Sequence, residues 1–159
     1  MLASVEGEAH FVVQACNGLA LAIEQSTLPG SAEEAKEAEG RIAALLAQYT
    51  SAMGAFGPGP GQMDTLVLGC THYVFVEKPL RALLGPDVQL VSTGEPVARH
   101  TQRLLAAAGL LNPGKTNGAA QPMRLLTTGD LQGLQAAAQR WLGLPPEVCE
   151  AVPAALQGA

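Results

Sequence analysis

The sequence predicts an α/β fold with a largely parallel, doubly wound sheet. Short apolar runs of strand length alternate along the chain with longer segments whose apolar residues recur at helical spacing. These runs are apolar throughout, which is typical of parallel strands covered by helices on both faces. The length of 159 residues is enough for one domain of ordinary size.

The first third of the chain predicts one strand and two helices. Residues 9–15 form a β-branched apolar run that ends at a Cys-Asn-Gly turn, and they are expected to form a short buried strand. A short helix is expected over residues 19–25. Ser31 followed by Glu34 is a capping-box pattern, so a second helix is expected over residues 32–49.

The middle of the chain again alternates predicted strands with predicted helices. Residues 54–61 are rich in Gly and Pro and predict a loop. The continuous apolar run at 65–69 predicts a strand buried on both faces. A helix over 76–84, a strand over 88–92 and a helix over 96–108 are expected to follow.

The last third begins with a polar loop over residues 112–122. A strand over 123–128 and a helix over 131–142 complete the expected elements. The residues beyond Pro145 carry few structural signals, so we expect a frayed tail there.

The composition excludes several classes of function. The net charge of -5 argues against a nucleic-acid partner, because phosphate binding needs a basic surface. No apolar run approaches the roughly 18 residues that a membrane-spanning helix needs, so no membrane association is expected. Three widely spaced cysteines and the lack of a secretory pattern at the start predict a reducing, cytoplasmic location.

The candidate site is the segment from Cys70 to His72, at the end of the strand over 65–69. In doubly wound sheets the reactive crevice lies beyond the carboxyl ends of the strands. Free amides at a helix start favour a thiolate and can hold a substrate carboxylate. His72 can shuttle a proton, and the Thr71 hydroxyl adds a hydrogen-bond donor.

From the residues alone, other interpretations of this thiol stay open. Cys70 would be a small buried hydrophobic residue in the simplest case. A hydrolase with a Cys–His pair is also compatible with the sequence, although the two residues are usually distant in such chains. A metal site is not expected, since no ligand spacing relative to Cys70 is found at the other candidate ligands, Cys16, Cys149, His10 and His100.

The segment from Asp64 to Tyr73 resembles, residue for residue, the second signature of bacterial glutamate racemases, in the aspartate/glutamate racemase superfamily. Residues 16–19, with Glu24 behind them, are similar to the family's Cys-Pro-Gly-Leu segment and its glutamate. The C-terminal strand and helix of the family are similar to residues 127–143. The resemblance spans most of the chain and corresponds to the C-terminal portion of that two-domain architecture.

The sequence departs from the family pattern at three positions. Asn17 and Val74 stand where Pro is usual, which should alter only loop stiffness. Ser92 stands where Asp is usual, so the local hydrogen bonding is expected to differ. The family's Asp-Ser-Gly opening is absent, and we expect an N-terminal region to lie outside this sequence.

The resemblance implies a cofactor-free, two-base racemisation of L- and D-glutamate that serves peptidoglycan synthesis. One cysteine thiolate removes the α-proton of the substrate, and a second cysteine returns a proton to the opposite face. In that scheme Cys70 is one catalytic base and His72 assists its thiol. Thr71 and His72 contact the substrate glutamate, and Glu24 orients His72 without being a substrate contact itself.

The second catalytic cysteine is expected to lie outside this chain. Cys16 precedes Cys70 by only 70 − 16 = 54 positions, whereas the two bases belong to separate domains of about 100 residues each. Cys16 is therefore expected to be structural, as is Cys149 in the tail. The chain alone is then an inactive half-site.

The resemblance also implies a division of the chain. Residues 1–92 would belong to the second racemase domain, residues 93–144 would return to the first domain, and residues 145–159 would form a tail. Apolar faces left without a partner sheet predict a homo-oligomer. Two alternatives stay open, a non-catalytic remnant or binding module, and a racemase or lyase acting on aspartate or a related acid.

Overall fold

A computed structural model of the chain describes residues 9–28, 30–112 and 123–153. The strands pair in two parallel two-stranded sheets, one formed by the first two strands and one by the last two. Parallel pairing and the alternation with helices confirm the predicted α/β class. In chain order the elements are α1 (Leu19–Gln25), α2 (Ala32–Met53), β1 (Thr65–Leu68), α3 (Glu77–Leu84), β2 (Gln89–Ser92), α4 (Gly94–Ala107), β3 (Leu125–Thr127), α5 (Leu131–Ala137) and β4 (Cys149–Ala151).

Helix α2 begins where the capping-box pattern predicts. The Ser31 hydroxyl accepts a hydrogen bond from the Glu34 amide at 3.2 Å, and the Glu34 carboxylate accepts one from the Ser31 amide at 2.6 Å. These bonds lower the pKa of Glu34 and satisfy two amides of the first turn. The helix continues past its predicted end to Met53 and stops at Gly54, whose φ of 123° suits only glycine.

One hydrophobic core lies between α1, α2, α3 and one face of the β1–β2 sheet. At the C-terminal end of α3, Arg81 Nη1 donates hydrogen bonds to the carbonyls of Gly85, at 3.2 Å, and of Val88. This core fixes the start of α1 beside the end of β1. Its buried members are Leu19, Ala22, Ile23, Ile42, Leu46, Leu68, Val76 and Leu80.

Only one face of the β1–β2 sheet is covered by the described residues. Leu68 is 3% exposed on the core side, whereas Val67 is 60% exposed on the opposite side. The prediction of a strand buried on both faces is therefore wrong for this part of the chain. The physical reason is that α4, which follows β2, contributes no buried residue and leaves the outer face of the sheet open.

The predicted strand over residues 9–15 is wrong. Residues 10–16 form no regular secondary structure, and Phe11, Val12 and Val13 are all exposed. A strand needs a neighbour whose backbone groups complete its ladder. None of the strands in the described ranges pairs with this segment, so its apolar composition alone does not produce a strand.

The predicted frayed tail is also wrong for residues 145–153. A 3₁₀ turn at Pro146–Val148 leads into β4, which pairs with β3 and buries Cys149. The Arg124 guanidinium binds the Glu150 carboxylate beside this sheet, with 3.1 Å between Nε and Oε1. The end of the expected tail, residues 154–159, lies outside the described residues, as do residues 113–122 of the expected polar loop.

The helix predicted over 131–142 changes type along its length. It is α-helical to Ala137 and continues as a π-helical turn over Ala138–Leu142. In that turn Arg140 reaches across to α1 and α2, donating from Nη1 to the Ser26 carbonyl at 2.7 Å, with Nη2 lying 3.5 Å from Glu39 Oε1. The C-terminal segment is thereby attached directly to the end of α1.

Substitution of Leu80→Ala is expected to lower the free energy of unfolding by about 2–4 kcal/mol, because a cavity would replace a buried side chain. Leu83→Ala on the same helix is a matched control, since Leu83 is 48% exposed, and it should cost less than about 1 kcal/mol. Urea unfolding followed by circular dichroism measures both. Equal losses at the two positions would contradict this core.

Candidate active site

Strand β1 carries Cys70 to the carboxyl edge of its sheet. The chain turns immediately after Cys70, and the Tyr73 amide donates to the Cys70 carbonyl at 3.2 Å. A 3₁₀ turn over Tyr73–Val76 follows, and α3 starts only at Glu77. The amides nearest the thiol therefore belong to a 3₁₀ turn, and the α-helix itself starts further along the chain.

Three side chains form a row at this edge. Cys70 Sγ lies 3.7 Å from His72 Nδ1, and His72 Nε2 lies 2.7 Å from Glu24 Oε1. Glu24 comes from α1, so the contact joins segments that are distant in sequence. The side chains of His72 and Glu24 are 32% and 59% exposed. An ion pair this open contributes little to stability, and its main effect is to orient the imidazole ring.

The two ring nitrogens of His72 have different partners. A carboxylate only accepts hydrogen bonds, so Glu24 favours the tautomer with its proton on Nε2. The Nδ1 lone pair then faces the Cys70 thiol. This arrangement allows the imidazole to take the thiol proton and allows the carboxylate to stabilise the resulting imidazolium.

Cys16 lies near the same edge in a different environment. Its Sγ lies 3.6 Å from the Gln14 carbonyl. Burial raises the pKa of the Cys16 thiol, and the Cys70 thiol nearby raises it further, while a hydrogen bond with Tyr73 opposes both effects. A thiol with a raised pKa is a poor source of thiolate at neutral pH, which favours the structural role expected for Cys16.

Two tyrosine hydroxyls support the turn that precedes α1, a role that no local sequence pattern predicts. The Tyr49 hydroxyl donates to the Asn17 carbonyl at 2.7 Å, and the Tyr73 hydroxyl donates to the Cys16 carbonyl at 3.5 Å. Burial and the two neighbouring thiols raise the pKa of Tyr73 to about 12. Tyr73 therefore stays protonated at neutral pH and remains a hydrogen-bond donor.

Thr71 is exposed beside Cys70, in position to meet a ligand from solvent. On another side of His72 and Glu24 opens a groove of about 320 Å³ with mainly apolar walls. Its walls include the rings of Phe75 and Trp141, which stack with 5.1 Å between their centroids. The His72–Glu24 pair thus lies at the boundary between an aqueous edge and an apolar surface.

The described residues hold neither a candidate membrane span nor a candidate metal cluster. None of the helices in those ranges combines the length and apolar character that a membrane crossing requires. No three His, Cys, Asp or Glu side chains within those ranges come together as a possible metal site.

Comparison with known proteins gives clear relatives, although no family model matches the chain. A glutamate racemase from Herpetosiphon aurantiacus is 42% identical over 130 residues, which cover 82% of this chain and 44% of the relative. A glutamate racemase from Symbiobacterium thermophilum is 36% identical over 137 residues, which cover 86% of this chain and 43% of the relative. The chain spans slightly less than half the length of these curated relatives.

Solved structures of glutamate racemases are similar in fold. An isoform from Bacillus anthracis has a TM-score of 0.68 and 25% identity, and the match covers 96% of this chain and 49% of that one. The enzyme from Thermus thermophilus, solved with β-chloro-D-alanine, has a TM-score of 0.59 and 28% identity. That match covers 89% of this chain and 47% of the Thermus chain.

Cys70 is expected to be the first of the three cysteines to be alkylated. It is partly exposed and has an imidazole beside it, whereas Cys149 is buried. The raised pKa of Cys16 should confine its rapid reaction to alkaline pH. Timed labelling with iodoacetamide from neutral to alkaline pH, followed by peptide mapping, measures the three rates.

The matched variant for this measurement is His72→Ala. It should slow the labelling of Cys70 and leave that of Cys149 unchanged. Faster labelling of Cys16 or Cys149 than of Cys70 at neutral pH, with the fold intact, would contradict the assignment of Cys70 as the reactive thiol.

Proposed function

Because the chain is homologous to one portion of the glutamate racemases, we propose that it supplies one half of a site that interconverts L- and D-glutamate. The observation that carries the proposal is the row from Glu24 through His72 to Cys70, with 2.7 Å and 3.7 Å between neighbouring atoms. The proposed reaction uses no cofactor. Its product D-glutamate would serve peptidoglycan synthesis in the cytoplasm.

The proposed chemistry starts at the Cys70 thiol. His72 Nδ1 accepts the thiol proton, and the Glu24 carboxylate stabilises the imidazolium. The thiolate then removes the α-proton of glutamate: the Cα–H bond breaks, an S–H bond forms, and the electron pair stays on Cα and spreads into the substrate carboxylate. In the reverse direction the Cys70 thiol donates its proton to the carbanion from the same side.

Thr71 and His72 are the proposed substrate contacts. Thr71 is exposed next to the thiol, and its hydroxyl can donate to a substrate carboxylate. One imidazole nitrogen of His72 is occupied by Glu24, which keeps the ring directed at the reacting centre. Substrate binding at this edge would shield the thiol from water and strengthen the interactions with developing charge.

Inversion needs a second acid or base on the opposite face of the carbanion. Among the cysteines of this chain, Cys16 lies at the same edge as Cys70 and has a raised pKa, and Cys149 is buried in the other sheet. Neither thiol is suited to protonate the opposite face of the carbanion. We therefore assign the second base to polypeptide equivalent to the unmatched part of the racemases.

The 159 residues alone are expected not to racemise glutamate, because one thiol serves only one face. Incubation in deuterated water, with α-proton exchange and optical inversion measured separately for each enantiomer, tests this. Inversion within about tenfold of the rate of a full-length relative would identify Cys16 or another group of this chain as the second base.

A chimera tests the role of Cys70 directly. In it, the chain replaces the matched portion of the Herpetosiphon aurantiacus racemase. Cys70→Ala should lower kcat by at least about 100-fold in both directions, because a positioned acid or base contributes that much. Cys149→Ala is the control and should stay within about twofold. Glu24→Gln should fall between these limits, at about 10-fold to 100-fold.

The pattern of these variants decides the proposal. Activity of the Cys70→Ala chimera close to that of the parent would contradict it. A soluble, folded chimera that binds glutamate and shows no exchange in either direction would instead support the non-catalytic alternative.

A further inference from the structure

The turn before α1 is a type II turn, and its second residue is Asn17. The Leu19 amide donates to the Cys16 carbonyl at 3.2 Å, and Gly18 has φ 80° and ψ -10°. No residue other than glycine has a positive φ in the described ranges, so Asn17 has a negative φ and the turn is of type II. Proline is favoured at the second position of such a turn because its ring fixes φ. Asn17 leaves that angle free, so the shape of this turn needs another constraint.

A side chain from α2 supplies this constraint. The Tyr49 hydroxyl donates to the Asn17 carbonyl at 2.7 Å. Tyr49 is partly buried and packs against the hydrophobic core, so the core holds the ring that carries this hydroxyl. The Tyr73 hydroxyl also donates to the turn, at the Cys16 carbonyl, over a longer distance of 3.5 Å. The shorter bond makes Tyr49 the stronger constraint on the turn.

Helix α1 needs the constraint because its start has no capping side chain. Its N-cap is Gly18, and no side chain of the described residues bonds the free amides of the first turn. Packing against the core fixes where α1 lies, through the buried residues Leu19, Ala22 and Ile23. A hydrogen bond is directional, whereas apolar packing is not. The bond from Tyr49 to the turn therefore limits how far the start of α1 can rotate.

The rotation of α1 decides whether Glu24 reaches His72. Glu24 lies in the last turn of α1, and its Oε1 lies 2.7 Å from His72 Nε2. The end of α1 is held by Arg140, whose Nη1 donates to the Ser26 carbonyl at 2.7 Å. With the start of the helix free, a rotation of about 20° would move a side chain that lies about 5–6 Å from the helix axis by about 2 Å. A displacement of that size would break the contact with His72.

We propose that Tyr49 is a positioning residue for the row formed by Glu24, His72 and Cys70. Its hydroxyl fixes the turn at Asn17, the turn fixes the start of α1, and α1 presents the Glu24 carboxylate to the imidazole. The inference rests on the proposed function for the meaning of that row. It adds a residue from α2, an element that has no member in the row itself.

Labelling of Cys70 with iodoacetamide measures the effect in the full 159-residue chain. Tyr49→Phe removes only the hydroxyl. It should slow the labelling of Cys70 at neutral pH by about three- to tenfold, which corresponds to the loss of one hydrogen bond of ordinary strength. At alkaline pH the thiol ionises without help from His72, so the variant and the unmodified chain should react at equal rates. Labelling of the buried Cys149 should not change.

The rate at Cys149 separates positioning from a loss of stability. A variant that opens or unfolds exposes both thiols and speeds the labelling of Cys149, whereas a displaced Glu24 carboxylate slows Cys70 alone. Thr101→Val is the matched control, because it removes a hydroxyl that donates to the Val97 carbonyl on α4, an element with no residue in the row. It should change the labelling of Cys70 by less than about twofold.

Two double variants test the route from Tyr49 to the thiol. In a Glu24→Ala chain, Tyr49→Phe should have no further effect on Cys70, because the effect passes through that carboxylate. In an Asn17→Pro chain, Tyr49→Phe should slow Cys70 by less than about twofold, because the proline ring fixes the turn directly. Proline suits the position, since the Asn17 amide donates no hydrogen bond within the described residues. Equal slowing in all three backgrounds would overturn the positioning role, and so would unchanged or faster labelling of Cys70 in the single variant.

The positioning role and the proposed function fail separately. In the active chimera, Tyr49→Phe should lower kcat by about three- to tenfold and leave KM within about twofold, because it weakens the base and touches no substrate contact. An inactive chimera, with Tyr49 still affecting Cys70 labelling through Glu24, would refute the function and keep the positioning role. A Cys70-dependent active chimera with kcat and labelling unaffected by Tyr49→Phe would refute the positioning role and keep the function.

Discussion

The contact between His72 and Glu24 is the constraint on which the arrangement of the site depends. The two side chains come from a turn after β1 and from α1, and they meet at 2.7 Å. That meeting requires α1 to lie in one position relative to the sheet, which the buried residues Leu19 and Ile23 fix through their packing in the core. The hydrophobic core is therefore what sets the direction of the imidazole, and the imidazole sets which nitrogen faces the Cys70 thiol.

The elements that the sequence predicted well are those with strong local signals. Helix α2 has a capping box at Ser31 and Glu34, and the loop after it is rich in Gly and Pro. Strand pairing is a long-range property, and it is where the predictions were wrong. Residues 9–15 have strand composition without a pairing neighbour in the described chain. Strand β4 has only three residues and is defined by its pairing with β3. A local stretch of sequence therefore could not predict it.

Much of the candidate site could be anticipated because its chemistry is concentrated in three consecutive residues. Cys70, Thr71 and His72 follow a strand, and the separate resemblance of residues 16–24 to the family added Glu24 as a partner. The supporting hydrogen bonds could not be anticipated in the same way. Tyr49 is 32 positions from the carbonyl it binds, and Tyr73 is 57 positions from its own. Such pairs depend on how α2 and the 3₁₀ turn after β1 pack against the turn before α1, which local patterns do not encode.

Arg140 connects the C-terminal segment to the helix that carries Glu24. Its guanidinium holds the carbonyl of Ser26, two residues beyond the glutamate that orients the imidazole. A shift of the π-helical turn in which Arg140 lies would displace the last turn of α1 through this hydrogen bond and change the direction of the Glu24 carboxylate. The orientation of the His72 imidazole therefore depends on the position of this π-helical turn as well as on the core.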